Sequence, residues 1–283
     1  MAFDLSSITR GKRLRAPKIV IYGPPKIGKS TFASNAPSPI GITTEEGLDA
    51  IDVPSFPLAT SYDDVIAAMT TLANDPHDFQ TVFVDSLDWL EPLILGKVCL
   101  DNKVDNIEKI GYGKGYIMAD DLWRDFFTRL DVLRNSRGMS IICIAHEQVN
   151  KVRNPTLQED YDAYSLKLNK RATAIINEWA DVIGFAAHEV MTRQVASGFQ
   201  QTETKAITTG ARKLHVNPHP AYVAGNRYGM SDRTIYNMEK AGTFPKRIVL
   251  SARAVAWDLD EITAWVDARK ASADKPTRPG ADA

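Results

Sequence analysis

Ile21-Tyr22-Gly23-Pro24-Pro25-Lys26-Ile27-Gly28-Lys29-Ser30 places two glycines and two prolines where a strand should be turning into a helix. The stretch reads Gly-x-x-x-x-Gly-Lys-Ser, the P-loop pattern. Before it, Lys18-Ile19-Val20-Ile21-Tyr22 is a short β-branched strand, and after it Thr31-Phe32-Ala33-Ser34 is a first helical turn. That strand, loop and helix are the setting in which the pattern binds a phosphate. Gly23 and Gly28 let the backbone come close without a Cβ in the way. Pro24 and Pro25 lack an N–H, so the cradling amides are expected from Lys26, Ile27, Gly28, Lys29 and Ser30, with Thr31 completing the site. Those amides open a helix, whose N-terminus favours an anion. Lys29 is expected to reach the β- and γ-phosphates, and the Ser30 hydroxyl to hold Mg²⁺. ATP and Mg²⁺ are therefore the expected ligands.

Strand and helix patterns alternate outward from this loop to about Phe185. The pattern predicts an α/β fold with a mostly parallel sheet flanked by helices. Ser61-Tyr62-Asp63-Asp64 reads as a helix cap before Val65. Thr81-Val82-Phe83-Val84-Asp85 is an apolar strand ending in a carboxylate, followed by a helix with Trp89, Leu90 and Leu93. Leu122, Phe126, Leu130 and Leu133 have helical spacing. Ser140 to Ala145 is a third buried strand with His146 at its end, and residues 172–182 read as a further helix.

Ligands of an open parallel sheet bind beyond the carboxyl ends of its strands. Asp85 follows four mostly apolar residues, the Walker B pattern, and is the expected metal carboxylate beside Ser30. Glu45, or its neighbour Glu46, ends the strand after the P-loop helix and is the expected base for an attacking water. His146 is placed to sense the γ-phosphate.

The chain has 283 residues, 44% of them apolar, and a formal net charge of −1, so no global pull towards nucleic acid exists. DNA contacts must come from local patches, such as the basic tail of residues 1–15 with Arg10, Lys12, Arg13 and Arg15. Cys99 and Cys143 lie far apart and read as reduced, buried thiols. No signal peptide or long apolar run is present, so a cytoplasmic protein without membrane contact is expected.

Several segments resemble RecA and RadA cores: Glu45-Glu46-Gly47-Leu48-Asp49 and Val84-Asp85-Ser86. Others are similar to phage RecA-like ATPases, the Sak-type single-strand annealing proteins: Tyr112-Gly-Lys-Gly-Tyr116, Ile144-Ala-His146-Glu147, Asp160-Tyr-Asp-Ala-Tyr164, Leu166-Lys-Leu168 and Glu178-Trp179-Ala-Asp181. The resemblance covers residues 16–229. It implies an ATP-driven role in DNA recombination or annealing in a phage or prophage, within a bacterial host. It also implies a homo-oligomeric ring or filament with the nucleotide between subunits. Residues 221–229 resemble the Lys-Asn-Arg-Phe-Gly motif of the RadA type, which implies that Arg227 acts across the subunit boundary. Gly225 stands at that motif's lysine, and Ala163 stands where an arginine is expected. Both changes remove positive charge near the phosphates and imply slower hydrolysis.

From residue 230 the texture changes. Residues 230–270 resemble the AlpA family of phage and prophage DNA-binding regulators, a small helix-turn-helix module with a wing. Ser231 is expected to cap a short helix ended by Gly242, leaving Arg233, Tyr236, Asn237 and Lys240 for single-stranded or duplex DNA. Residues 246–257 are expected to form a hairpin wing with Arg253 near its turn, and residues 221–227 a short helix that buttresses the module. Residues 271–283 read as a disordered tail. Two other functions stay open: a sequence-specific DNA-binding regulator that uses the P-loop portion to oligomerise, and a P-loop small-molecule kinase.

Overall fold

The computed structural model describes residues 15–198 and 201–228, and beyond them 239–243, 245–246, 248–251, 254–256, 261 and 264–265. Residues 15–228 form one compact unit, and the described residues after Tyr228 belong to a second.

The first unit is an α/β structure with a mostly parallel sheet. Its strands are β1 (Lys18–Gly23), β2 (Pro39–Thr43), β3 (Thr81–Asp85), β4 (Ser140–Val152), β5 (Tyr161–Leu166), β6 (Val182–Gly198), β7 (Gln201–His215) and β8 (Gly225–Asn226). Its helices are α1 (Lys29–Ser34), α2 (Tyr62–Asn74), α3 (Leu87–Asp101), α4 (Lys114–Arg137) and α5 (Lys170–Trp179). The sheet runs β2-β3-β4-β1-β6-β7, with β5 added to β4 and β8 to β6. Strands β2, β3, β4, β1 and β6 are parallel; β5, β7 and β8 are antiparallel to their partners.

One face of the sheet carries the main core. Val20, Tyr22, Val82, Val84, Ile141 and Cys143 meet the apolar sides of α2, α3, α4 and α5. The longest helix, α4, buries Trp123, Phe126, Phe127, Leu130 and Leu133, each worth about 1.5–3 kcal/mol of burial. Helix α2 begins as its sequence requires. The Ser61 hydroxyl accepts the Asp64 N–H at 3.1 Å, and the Asp64 carboxylate accepts the Ser61 N–H at 2.9 Å. The other face is more thinly covered. Ile21, Phe83, Ile142 and Ile144 lie under Ala33 of α1, with Leu48 and Val53 beside them. An apolar groove of about 670 Å³ runs between α1 and β7, lined in part by Ile19, Ile27, Phe32 and Leu214.

Three expectations are corrected. Strand β4 does not end at Ala145: its parallel pairing with β1 stops at His146, and the strand then continues as a hairpin with β5. The helix expected over residues 172–182 ends at Trp179, and Val182 starts β6, because the Asp181 N–H is taken by the Lys18 carbonyl at 2.9 Å. Residues 221–227 are not helical. The Val223 N–H bonds the Tyr164 carbonyl at 3.0 Å, and Gly225 and Asn226 pair with Ile183 and Val182. The free edge of β6 offers this segment more backbone partners than a helix interrupted by Gly225 would.

Cys99 and Cys143 are both free thiols, and burial pushes the Cys143 thiol up. Among the described residues no helix is long and apolar enough to cross a membrane.

In the second unit Glu239 and Lys240 are helical and Gly242 adopts a left-handed φ of 69°. Its N–H closes the turn on the Glu239 carbonyl at 3.0 Å. Strand β9 (Ile248–Ser251) pairs antiparallel with β10 (Ala254–Ala256), within the residues expected to form a wing. The Trp265 indole N–H donates to the Thr243 carbonyl at 2.6 Å.

Candidate nucleotide-binding site

The register of four parallel strands brings the predicted residues to one edge. Gly23 of β1 is level with His146 of β4, and Asp85 of β3 is level with Thr43 of β2, two residues before Glu45. β4 lies between β1 and β3 and carries His146 two residues past Ile144, which is level with Asp85. A polar cavity of about 570 Å³ opens there, and Lys29, Ser30, Glu45, Asp85 and His146 all line it.

The loop itself is a tight turn. Lys26 has a φ of 64° and Gly28 a φ of 103°, and Gly28 caps α1 through its backbone alone. The first helical amides have no carbonyl partners within a helix, and Lys29, Ser30 and Thr31 occupy those positions in α1. Lys29 is 6% exposed, and its ammonium donates to the carbonyls of Gly23 and Pro24, each at 2.9 Å. Burial lowers its pKa, opposed by the charges of Asp85, Asp88 and Glu45.

Ser30 Oγ donates to Asp85 Oδ2 at 2.6 Å. These adjacent hard oxygens suit magnesium, which takes one or two protein ligands and completes its shell with phosphate and water. Among the described residues no cluster of three or more His, Cys, Asp or Glu side chains forms a metal cage. The end of β3 is pinned to β2. The Thr44 N–H donates to the Asp85 carbonyl at 2.8 Å, and the Thr44 hydroxyl bridges the Ser86 carbonyl and N–H at 2.7 and 2.9 Å.

Sequence reasoning missed Asp88. Its carboxylate accepts both the backbone N–H and Nδ1 of His146, each at 2.9 Å. Burial works against this carboxylate, yet the hydrogen bonds and charge of His146 together hold its pKa below the ordinary value. Asp88 thereby fixes the imidazole, whose Nδ1 lies 4.0 Å from Glu45 Oε1. The available signal was spacing, since Asp88 sits three residues after Asp85 in the first turn of α3. Burial raises the pKa of Glu45 above the ordinary range, against the lowering effect of His146. Glu46 lines the same cavity but is exposed.

Asp85 is also raised, by burial first, against the Ser30 hydrogen bond and the charge of Lys29. The sign of the consequence is definite. A carboxyl whose pKa is higher folded than unfolded contributes stability fully below the unfolded pKa and loses it as pH rises through the folded one. Ionising the buried Asp85 carboxyl therefore costs stability as pH rises. Asp85→Asn is expected to raise stability by about 1 kcal/mol, or about 2–4 °C in Tm. Thermal unfolding without nucleotide at pH 7 reads this gain, which should shrink on acidification.

Arg227 stands apart from this cavity. β8 carries it to the amino-terminal end of β6, at the opposite end of the sheet from Gly23. There its guanidinium donates to the Glu178 carbonyl at 2.6 Å, and its N–H to the Asp181 carbonyl at 2.9 Å. Within one chain it does not join the phosphates. Ala163 is buried on β5, opposite Asn150. Of the residues expected to touch DNA, Lys240 is exposed. Arg233, Tyr236, Asn237 and Arg253 lie outside the described residues, as do the tails 1–14 and 271–283.

Comparison with family models matches residues 15–228 to an AAA domain. Residues 226–270 match the Prophage CP4-57 regulatory protein (AlpA). No curated protein matches the chain.

Proposed function

The chain belongs to the AAA domain family over residues 15–228, and from that premise we propose that it binds ATP with Mg²⁺ and hydrolyses it in phage or prophage DNA recombination or single-strand annealing. The observation that carries the nucleotide part is the 2.6 Å contact between Ser30 Oγ and Asp85 Oδ2 at the mouth of the P-loop. The DNA part draws on the AlpA-like segment and on the RecA-like set of motifs. A ring or filament is part of the proposal, because Arg227 has access to a nucleotide only in a neighbouring subunit.

In this reading Lys29 exchanges its two carbonyl partners for phosphate oxygens. Ser30 and Asp85 would hold a magnesium ion, which would supply positive charge to offset that of the phosphates. Glu45 takes a proton from water as the water oxygen attacks the γ-phosphorus. The bond from that phosphorus to the β–γ bridging oxygen breaks, and ADP and phosphate leave. Asp88 keeps His146 oriented beside Glu45. Because Glu45 must be ionised and burial raises its pKa, hydrolysis should fall on the acid side at a higher pH than a free glutamate would give. Glu45→Gln should remove that limb along with most of the rate. A variant retaining both would exclude Glu45 as the base.

Retention of labelled ATP, a single-stranded oligonucleotide and a duplex on filters tests the whole reading. Saturable ATP retention with ATP-dependent, salt-sensitive retention of single strands supports it. Failure to retain ATP removes it. The match over residues 226–270 favours one second reading, a sequence-specific regulator in which the P-loop unit serves oligomerisation. Preference for one duplex site, abolished by deleting residues 230–283, would establish that reading instead.

A further inference from the structure

The β6–β7 hairpin runs past the end of β1 and presses on the P-loop from the side away from β4. The antiparallel register sets Phe185 opposite His215, Ala186 opposite Leu214 and His188 opposite Arg212. Side chains two residues apart on a strand share a face, so Arg212 follows Leu214 onto the α1 side of the sheet. A Cβ added to Gly28 would lie 2.9 Å from an Arg212 guanidinium nitrogen. The second P-loop glycine thus leaves room for an arginine from a strand more than 180 residues later. Among the described residues Arg212 forms no ion pair, whereas its neighbour Lys213 is bound to Glu189 at 2.5 Å. Arg212 borders both the polar cavity and the apolar groove, as do Gly28, Lys29 and Thr31. Glu45, Asp85 and His146 border the polar cavity alone.

We propose that Arg212 is a phosphate-binding residue supplied by the same chain, and that it engages the α/β-phosphate portion of a bound nucleoside di- or triphosphate. This deepens the ATP-binding reading and depends on it. A guanidinium is always charged and offers five donors in a planar fork that fits phosphate oxygens. Standing against Gly28, it borders the groove as well as the polar cavity, which Glu45, Asp85 and His146 do not. It therefore reads the part of the ligand that ATP and ADP share. Its charge also lies within the chain, so it acts without a neighbouring subunit, unlike Arg227.

The test compares wild type, Arg212→Ala and Arg212→Lys by titration with fluorescent ATP and ADP analogues, alongside steady-state hydrolysis and thermal unfolding. Arg212→Ala is expected to weaken ATP and ADP equally, by about 10- to 100-fold. KM should rise by a similar factor while kcat changes less than about threefold. Arg212→Lys, which keeps the charge and loses the fork, should recover part of the loss, and an unchanged melting temperature shows that the fold is intact. Wild-type binding with an unaffected Arg212→Ala overturns the proposal alone. A loss confined to ATP, or to kcat, also overturns it, by moving the arginine to the γ-phosphate. Absence of nucleotide binding by wild type removes the underlying reading and this proposal with it.

Discussion

Lys29→Ala is expected to lower affinity for MgATP by about 100-fold and to reduce hydrolysis to background. The buried ammonium gives up two carbonyl contacts of 2.9 Å when it turns to a ligand, so its neutral hydrogen bonds are replaced by charge-assisted ones. Hydrogen bonds to charged groups are worth about 1.5–3 kcal/mol each, and two phosphate oxygens within reach give a loss of about 3 kcal/mol, or roughly 100-fold. The same substitution leaves the Gly23 and Pro24 carbonyls without their donor, a cost of about 1–2 kcal/mol in stability. Binding is therefore measured well below the melting temperature of the variant, with Lys29→Met as a second variant that keeps the buried stem. Isothermal titration showing affinity within threefold of wild type for both variants would mean that the loop is not the phosphate site.

Why some of this site could be read from the chain and some could not follows from how far each residue stands from its partner. Gly23, Gly28, Lys29 and Ser30 form one local turn, and Asp85 closes an unbroken apolar strand, so pattern alone locates them. Parallel pairing then follows from the alternation of elements, and with it the common edge that gathers Glu45 and His146. Asp88 escaped because an acidic residue in a first helical turn has an ordinary local explanation, favourable charge at a helix N-terminus. Only the fold shows that it holds His146. Arg212 escaped for a different reason. Its strand, rich in Thr and carrying Lys205, Arg212 and Lys213, lacks the apolar run that marks β2 or β3, and its approach to Gly28 reaches across β6 between residues far apart in sequence. The segment around Gly225 differs for another reason. A helix was expected where the chain instead adds a two-residue strand to β6, an outcome set by the unpaired edge of that strand and not by local propensity.

Gly23→Ala is the structural counterpart to the loss of Lys29, and it should unfold more than it disables. A P-loop glycine is usually understood as clearance for a phosphate. At Gly23 the clearance is taken by protein: a Cβ there would stand 2.2 Å from the Ala186 carbonyl oxygen and 3.1 Å from its carbon. Neither atom belongs to a flexible side chain, so relief requires β6 to move off β1. The two strands are paired as far as Tyr22 and Phe185, one residue before the clash. The φ of 157° adds a backbone cost for any residue with a Cβ. Overpacking and backbone strain together give about 3 kcal/mol, or about 6–12 °C in Tm for a domain of this size. Because the hairpin that must shift also carries Arg212, ATP affinity should fall with stability. Gly96→Ala is the matched control. Nothing lies within 4 Å of the Cβ it would add on α3, and removing a glycine from a helix stabilises by about 0.5–1 kcal/mol. Thermal unfolding should therefore move in opposite directions for the two variants. If Gly23→Ala melts with wild type, β6 does not press against the P-loop, and the placement of Arg212 beside Gly28 falls with it.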